Sequence, residues 1–185
     1  MIYVNKKDHN KICAINGHKA EQLFQQLAEG RGYQVSPASK NENIHQHIDL
    51  KLEIYNSLSQ KKELITVDVK SQKKTNRSDQ KPDNEWTILE YKNVKGNAGW
   101  LHGKATHIAF EREDDFVTIP RHKILKWAKT KLKKDSNGNY LYAKNTSDNK
   151  YKLRNRVGTQ DLITQVKFTD MLSEIKESKI WLKKL

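Results

Sequence analysis

Cysteine is nearly absent from this chain: of 185 residues, Cys13 alone carries a thiol. A single thiol excludes an internal disulfide framework and any zinc site built from clustered cysteines. It suits a reducing compartment, so a cytoplasmic location is expected. Long apolar runs are also missing. No stretch approaches the roughly 20 residues needed to cross a bilayer, and no signal-peptide pattern opens the chain. Acid is scarce relative to base, with 22 Asp+Glu against 35 Lys+Arg and a formal net charge of +13. That imbalance favours a polyanionic partner, because each phosphate contacted by Lys or Arg releases condensed counterions. An acidic membrane surface could use the same charge, but with no spanning segment, nucleic acid becomes the leading partner class.

The length suits one ordinary domain with its own core. Residues 1–16 read as an N-terminal arm, polar over Met1–Lys11 apart from Ile2-Tyr3-Val4. A helix is expected from about His18 to Glu29, capped by Asn16, with Leu23, Phe24, Leu27 and Ala28 at helical spacing. Gly30-Arg31-Gly32 ends it, and Tyr33-Gln34-Val35 starts a first strand. A polar loop through Pro37 and Asn41-Glu42-Asn43 leads to Ile48–Ile54, whose strict alternation is that of a half-buried strand. His45 and His47 form the only tight histidine pair and read as a polar approach to that strand. After a turn around Ser57 to Gln60 comes Leu64–Lys70, and the two strands are expected to form a hairpin.

The charged segment Lys73–Asn84 contains Pro82 and reads as an exposed loop. Further strands are expected at Trp86–Val94 and at Thr106–Glu111, the latter continuing through Phe116–Ile119. A helix from about Arg121 to Lys133 presents Ile124, Leu125 and Trp127. Past a turn at Asp135–Asn139, residues 136–185 read as a basic extension ending in a helix over Thr169–Leu182. The order of elements is that of an α/β domain with its sheet in the middle.

The segment with the most chemistry is Leu64-Ile65-Thr66-Val67-Asp68-Val69-Lys70. Strand alternation sends Asp68 and Lys70 to one face and Val67 and Val69 to the other. A carboxylate beside an ammonium on an oily strand suits either a salted edge or a metal-and-water site that cuts phosphodiesters. Asp49, on the preceding strand, can lie beside Asp68 across the hairpin, although a solvated face holding Lys51 and Glu53 would look the same. Two adjacent carboxylates suit a hard divalent cation such as Mg²⁺. Lys70 could then orient or help deprotonate the attacking water and stabilise charge developing on the phosphate.

Glu21 falls within about 60° of Phe24 and about 20° of Ala28 at 100° per residue, so it flanks the buried stripe of its helix. It reads either as a further site residue reaching over the sheet or as an acid favoured near a helix N-terminus. Glu90 reads as the polar end of its strand or as an added acid. The Gly96–Gly103 loop fits neither a P-loop nor a dinucleotide fingerprint. Its amides, Lys95, Lys104, His102 and Trp100 offer phosphate and base contacts, yet folding of Trp100 and Leu101 onto the core is the preferred reading. The basic runs Lys73-Lys74, Lys129–Lys134 and Lys152–Arg156 sum to a track for a phosphate backbone.

A helix with Glu21, a strand with Asp49, then Asp68-Val69-Lys70, in that order, resembles the PD-(D/E)XK nuclease superfamily. Within it, the Holliday-junction-resolvase branch is most similar. Gly17-His18-Lys19-Ala20-Glu21 through Tyr33-Gln34-Val35 resembles that branch's opening helix and first strand. His47-Ile48-Asp49-Leu50 and Val67-Asp68-Val69-Lys70-Ser71 resemble its catalytic strands. The resemblance covers roughly residues 17–130, with two departures: no proline precedes Asp49, and Asp stands at 68 where Glu is commoner.

The resemblance implies a restriction-endonuclease-like core over residues 17–135, with a central mixed β-sheet flanked by helices. It implies Mg²⁺-dependent hydrolysis of DNA phosphodiesters, with Mn²⁺ able to substitute. Asp49, Asp68 and the Val69 carbonyl would be metal ligands, Glu21 a ligand or water-holder, and Lys70 the residue assisting the nucleophile. A single site per chain makes a homodimer one route to cutting both strands. The alternative is a non-catalytic nucleic-acid-binding protein on the same fold.

Overall fold

Alternation governs the centre of the molecule. Ile48, Leu50 and Leu52 are buried while Asp49, Lys51 and Glu53 are half-exposed, as a strand with one face on a core requires. The computed structural model describes residues 6–56, 60–74 and 79–184. Among them the elements run α1 (Lys6–Glu29), β1 (Gln34–Pro37), α2 (Lys40–Gln46), β2 (Leu50–Asn56), β3 (Lys61–Lys70) and β4 (Trp86–Lys92). A 3-10 turn (Trp100–His102) precedes β5 (His107–Glu111), β6 (Asp115–Pro120), α3 (Arg121–Lys131), β7 (Leu162–Lys167), α4 (Phe168–Glu174) and β8 (Lys179–Leu182). The fold is α/β.

A mixed six-stranded sheet in the order β1-β2-β3-β5-β6-β8 forms the frame, and β4 pairs with β7 in a separate two-stranded sheet. In the frame β3 and β5 run parallel and every other neighbour is antiparallel. The expected β2–β3 hairpin is present, in a register from Leu50↔Val67 to Asn56↔Lys61; of its turn, only Gln60 lies within the described residues.

One face of the sheet is covered by α1. Ala20, Phe24, Leu27 and Ala28 pack on Leu50, Leu52, Val67, Val69 and Phe116. The other face carries Ile108, Phe110, Val117 and Ile119 and is covered by α3, α4, the 3-10 turn and the β4–β7 sheet. Burying a side chain such as Phe24 contributes roughly 1.5–3 kcal/mol. Among the described residues no helix is long and apolar enough to cross a membrane.

Four expectations need correction. Within the expected arm, residues 6–16 are helical, so Asn16 sits inside α1 rather than capping it. Once its second half packs, extending a helix adds one hydrogen bond per residue fixed, which favours the longer element; residues 1–5 lie outside the described residues. The polar loop before Ile48 holds α2, nucleated by a capping box in which Ser39 and Glu42 satisfy each other's backbone N–H groups. The reading of Glu90 as an added acid needs its strand next to that of Asp68, and β4 instead lies in the second sheet. The expected terminal helix stops at Glu174, and Lys179–Leu182 form β8 against β6. Packing decides this last case: Trp181 turns to the α1 side, where its ring stacks on Phe24 at 5.0 Å, while Ile180 and Leu182 remain exposed.

Candidate active site at the ends of β2 and β3

The site begins where the β2–β3 ladder ends. Beyond the Leu50↔Val67 pair, the Asp49 N–H donates to the Val67 carbonyl at 2.8 Å. Asp49 Oδ2 accepts the Val69 N–H at 2.7 Å, and Oδ1 accepts from Asn43 Nδ2 of α2 at 2.5 Å. The carboxylate thus ties the end of β3 to α2. A helix of seven residues anchored by its own capping box holds this aspartate in one orientation, and Lys51 adds a 2.8 Å ion pair to Glu42.

Asp68 and Lys70 share the face of Ile108 and Phe110, their partners on β5. This is the oily face under the 3-10 turn, and Asp68 is only 2 % exposed there. Its Oδ1 accepts from Lys70 Nζ at 2.6 Å, whereas Oδ2 is buried without a hydrogen-bond partner. Burial pushes the Asp68 carboxyl up to about 7; Lys70 opposes that shift and the nearby Asp49 charge reinforces it. Lys70 Nζ also sits 5.4 Å from the centre of the Trp100 ring. Trp100 and Leu101 are folded onto the core, as preferred from the sequence.

Glu21 stands on α1 at the rim, half-exposed, 3.7 Å from His18 Nδ1. Burial raises its carboxyl, the Asp49 charge raises it further, and His18 and Lys70 pull it back. The structure therefore brings Asp49, Asp68 and Lys70 together, and Glu21, whose ion pair is with His18, is coupled to them through the charges of Asp49 and Lys70. Glu90 is also coupled to Lys70: burial raises its carboxyl first, and the Lys70 charge lowers it. Gly99 lets its loop lie directly against β4, since a Cβ there would stand 2.5 Å from the Glu90 carbonyl oxygen.

Two contributors escape a reading of motifs alone. Asn43 orients Asp49, and its element was legible in Ser39-Lys40-Asn41-Glu42, a capping-box spacing. His47 ends α2 in the left-handed region at φ 54°. Burial lowers its imidazole first and Lys70 next, while a hydrogen bond to the Ala98 backbone opposes both. His47 thus joins α2 to the glycine loop, and no sequence signal announces it.

Among the described residues, no group of three or more His, Cys, Asp and Glu side chains lies close enough together to hold a metal ion. The donor chemistry still fits a hard cation in part: the two aspartates and the Val69 carbonyl offer oxygen alone, and Asp68 Oδ2 is a buried oxygen without a partner. Compared with known protein families, curated proteins and solved structures, the chain matches none of them.

Proposed function

We propose that this protein is a divalent-metal-dependent nuclease of PD-(D/E)XK type, with a restriction-endonuclease-like core, that hydrolyses DNA phosphodiesters. The observation that carries the reading is Asp68, an almost fully buried carboxylate with one unpartnered oxygen, set between Lys70 and Asp49. A solvated salt bridge would not be buried in this way, because burying a charge is costly unless a function or a full set of partners compensates. Mg²⁺ or Mn²⁺ would be held by Asp49, Asp68 and the Val69 carbonyl and would supply Lewis acidity toward the phosphodiester.

The chain's own residues do the rest. Asn43 and the Val69 N–H fix the Asp49 carboxylate, so ligand orientation does not have to be found during binding. Lys70 places a positive charge where negative charge develops on the phosphate, and it orients the attacking water. Trp100 at its flank keeps the ammonium on the reacting side. Glu21, at the rim beside Asp49, accepts hydrogen bonds from water entering the site. Neither a helix-turn-helix nor a zinc module supports base reading in the sequence, so cutting is guided by substrate structure or by a partner, and a homodimer would address both strands.

The second reading is a DNA-binding protein without catalysis, favoured by the absence of a three-residue metal cluster among the described residues. A cleavage panel of branched, nicked, single-stranded and duplex DNA with Mg²⁺ and with Mn²⁺ decides between them. Wild-type protein is expected to cut at least one substrate, and Asp68→Ala and Lys70→Ala to lose at least about a hundredfold in rate while remaining folded. Cleavage by both variants at the wild-type rate removes the site assignment. Tight, salt-sensitive binding with no cleavage under either metal favours the second reading.

A further inference from the structure

The segment from Arg154 to Ile163 brings a cation to the Glu90 end of β4 that the motifs of the site do not contain. Arg154 and Ile163 exchange backbone hydrogen bonds of 2.9 and 3.0 Å, and Ile163 of β7 pairs with Glu90 of β4. The turn between them therefore lies beside the Glu90 end of β4. That turn closes on Asp161, whose side chain is wholly buried. Asp161 Oδ1 accepts the Arg156 N–H at 3.0 Å and the Thr159 hydroxyl at 2.7 Å, and Oδ2 accepts from Arg156 Nε. Gln160 ties the turn to the loop after β4: its N–H donates to the Val94 carbonyl at 3.2 Å, and a Cβ on Gly96 would meet its Oε1 at 2.5 Å.

These bonds hold the guanidinium by one edge. Among the described residues neither terminal nitrogen of Arg156 has an acceptor, and the side chain is 46 % exposed. A guanidinium fixed through Nε keeps its remaining N–H groups in a planar fork, the geometry that receives two phosphate oxygens. Its rotamers are ordered on folding, so less entropy is lost when an anion arrives. Burial would raise the Asp161 carboxyl, but the Arg156 N–H, the Thr159 hydroxyl and the guanidinium outweigh it and keep it low, so the anchor stays charged. The pairing of Ile163 with Glu90 and of Arg154 with Ile163 sets the turn at the Glu90 end of β4, and Lys70 and Arg156 both act to lower the Glu90 carboxyl against its burial.

We infer that Arg156, held by Asp161, binds a backbone phosphate of the nucleic-acid strand that passes over the Lys70–Asp68 site, next to the phosphate to be cut. The inference rests on the nuclease reading for the path of that strand. A bland role, an ion pair that only stiffens the turn, would leave binding unaffected when the guanidinium is replaced.

The test measures anisotropy of labelled branched, single-stranded and duplex DNA with chelator present, across a salt series, beside the Mg²⁺ cleavage panel. Arg156→Gln is expected to weaken binding roughly five- to tenfold and to reduce the salt slope by about one. Lys61→Gln, at the opposite end of β3 and about 30 Å away along the strand, keeps the wild-type slope. If Arg156→Gln fails to fold, Arg156→Lys carries the test. It keeps the charge and the bond to Asp161, so the slope should persist while affinity falls at least about threefold with loss of the fork. Unchanged affinity and slope in a folded Arg156→Gln or Arg156→Lys, with wild type still binding and cutting, overturns the role of Arg156 alone. Wild type that binds no DNA overturns this inference and the nuclease reading together.

Discussion

At the scale of single residues, Asp68 is a carboxyl taken almost entirely out of water. Its carboxyl is raised from the usual carboxylate range to about 7, chiefly by burial. Between roughly pH 4 and pH 7 the folded state therefore holds one proton more than the unfolded chain. Stability from this group is full below the unfolded value and is lost as pH rises through 7. Asp68→Asn cannot titrate and lacks that loss. Between about pH 5.5 and about pH 8.5, metal-free wild type should lose about 2 kcal/mol more unfolding free energy than Asp68→Asn. Thermal or denaturant unfolding at the two pH values checks this, and parallel pH profiles would remove Asp68 as a buried titrating group. A bound divalent cation should shrink the difference, since it favours the ionised carboxylate.

At the scale of elements, the site depends on how closely the glycine loop lies against β4. Gly99 donates its N–H to the Tyr91 carbonyl at 2.9 Å, with the Glu90 backbone immediately beside its Cα. An added Cβ would meet main chain, which has no rotamer to escape into. Gly99→Ala should therefore cost roughly 1–3 kcal/mol in stability and shift Trp100 away from Lys70, visible as a change in tryptophan fluorescence. A neutral Gly99→Ala with unchanged fluorescence would mean that the loop does not support the lysine. Element α2 acts in the same manner through Asn43 and His47. It owes its existence to Ser39 and Glu42 rather than to burial, since none of its residues is buried.

At the scale of the whole molecule, the last strand meets the end of the first helix on one face of the sheet. Trp181 of β8 stacks on Phe24 at 5.0 Å and on Tyr33 at 5.8 Å, and the Arg31 guanidinium lies 5.0 Å over the ring. Arg31 also donates to the Leu182 carbonyl at 3.3 Å. The last strand thereby completes the cover of α1, the helix that carries Glu21. Trp181→Ala should destabilise the protein by about 3 kcal/mol, because a large ring is lost from a packed contact. Denaturant titration measures it, and a cost under about 1 kcal/mol would show that β8 is an appendage rather than part of the frame.

Local pattern alone was enough for much of this protein. The alternation around Ile48–Ile54 and Leu64–Lys70 determined a hairpin, because a period of two admits one buried face. The spacing of Phe24, Leu27 and Ala28 determined the helix above it, and the order Glu21, Asp49, Asp68, Lys70 marked the residues that now lie at one end of that hairpin. Contacts distant in sequence lay beyond such patterns. Nothing local separates a helix from a helix-then-strand over Thr169–Leu182; the stacking of Trp181 on Phe24 decides it. The apolar cover of the face that carries Asp68 includes Trp100 and Leu101, which arrive from more than thirty residues away and pack with Ile108 and Phe110. Arg156 reads in the sequence as one charge in a basic run, and only the pairing of β7 with β4 sets it beside Glu90. Sequence determines the faces that strands and helices present, through periods of two and 3.6. Which faces meet, and hence which charges are buried together, is decided by the packing of the whole chain.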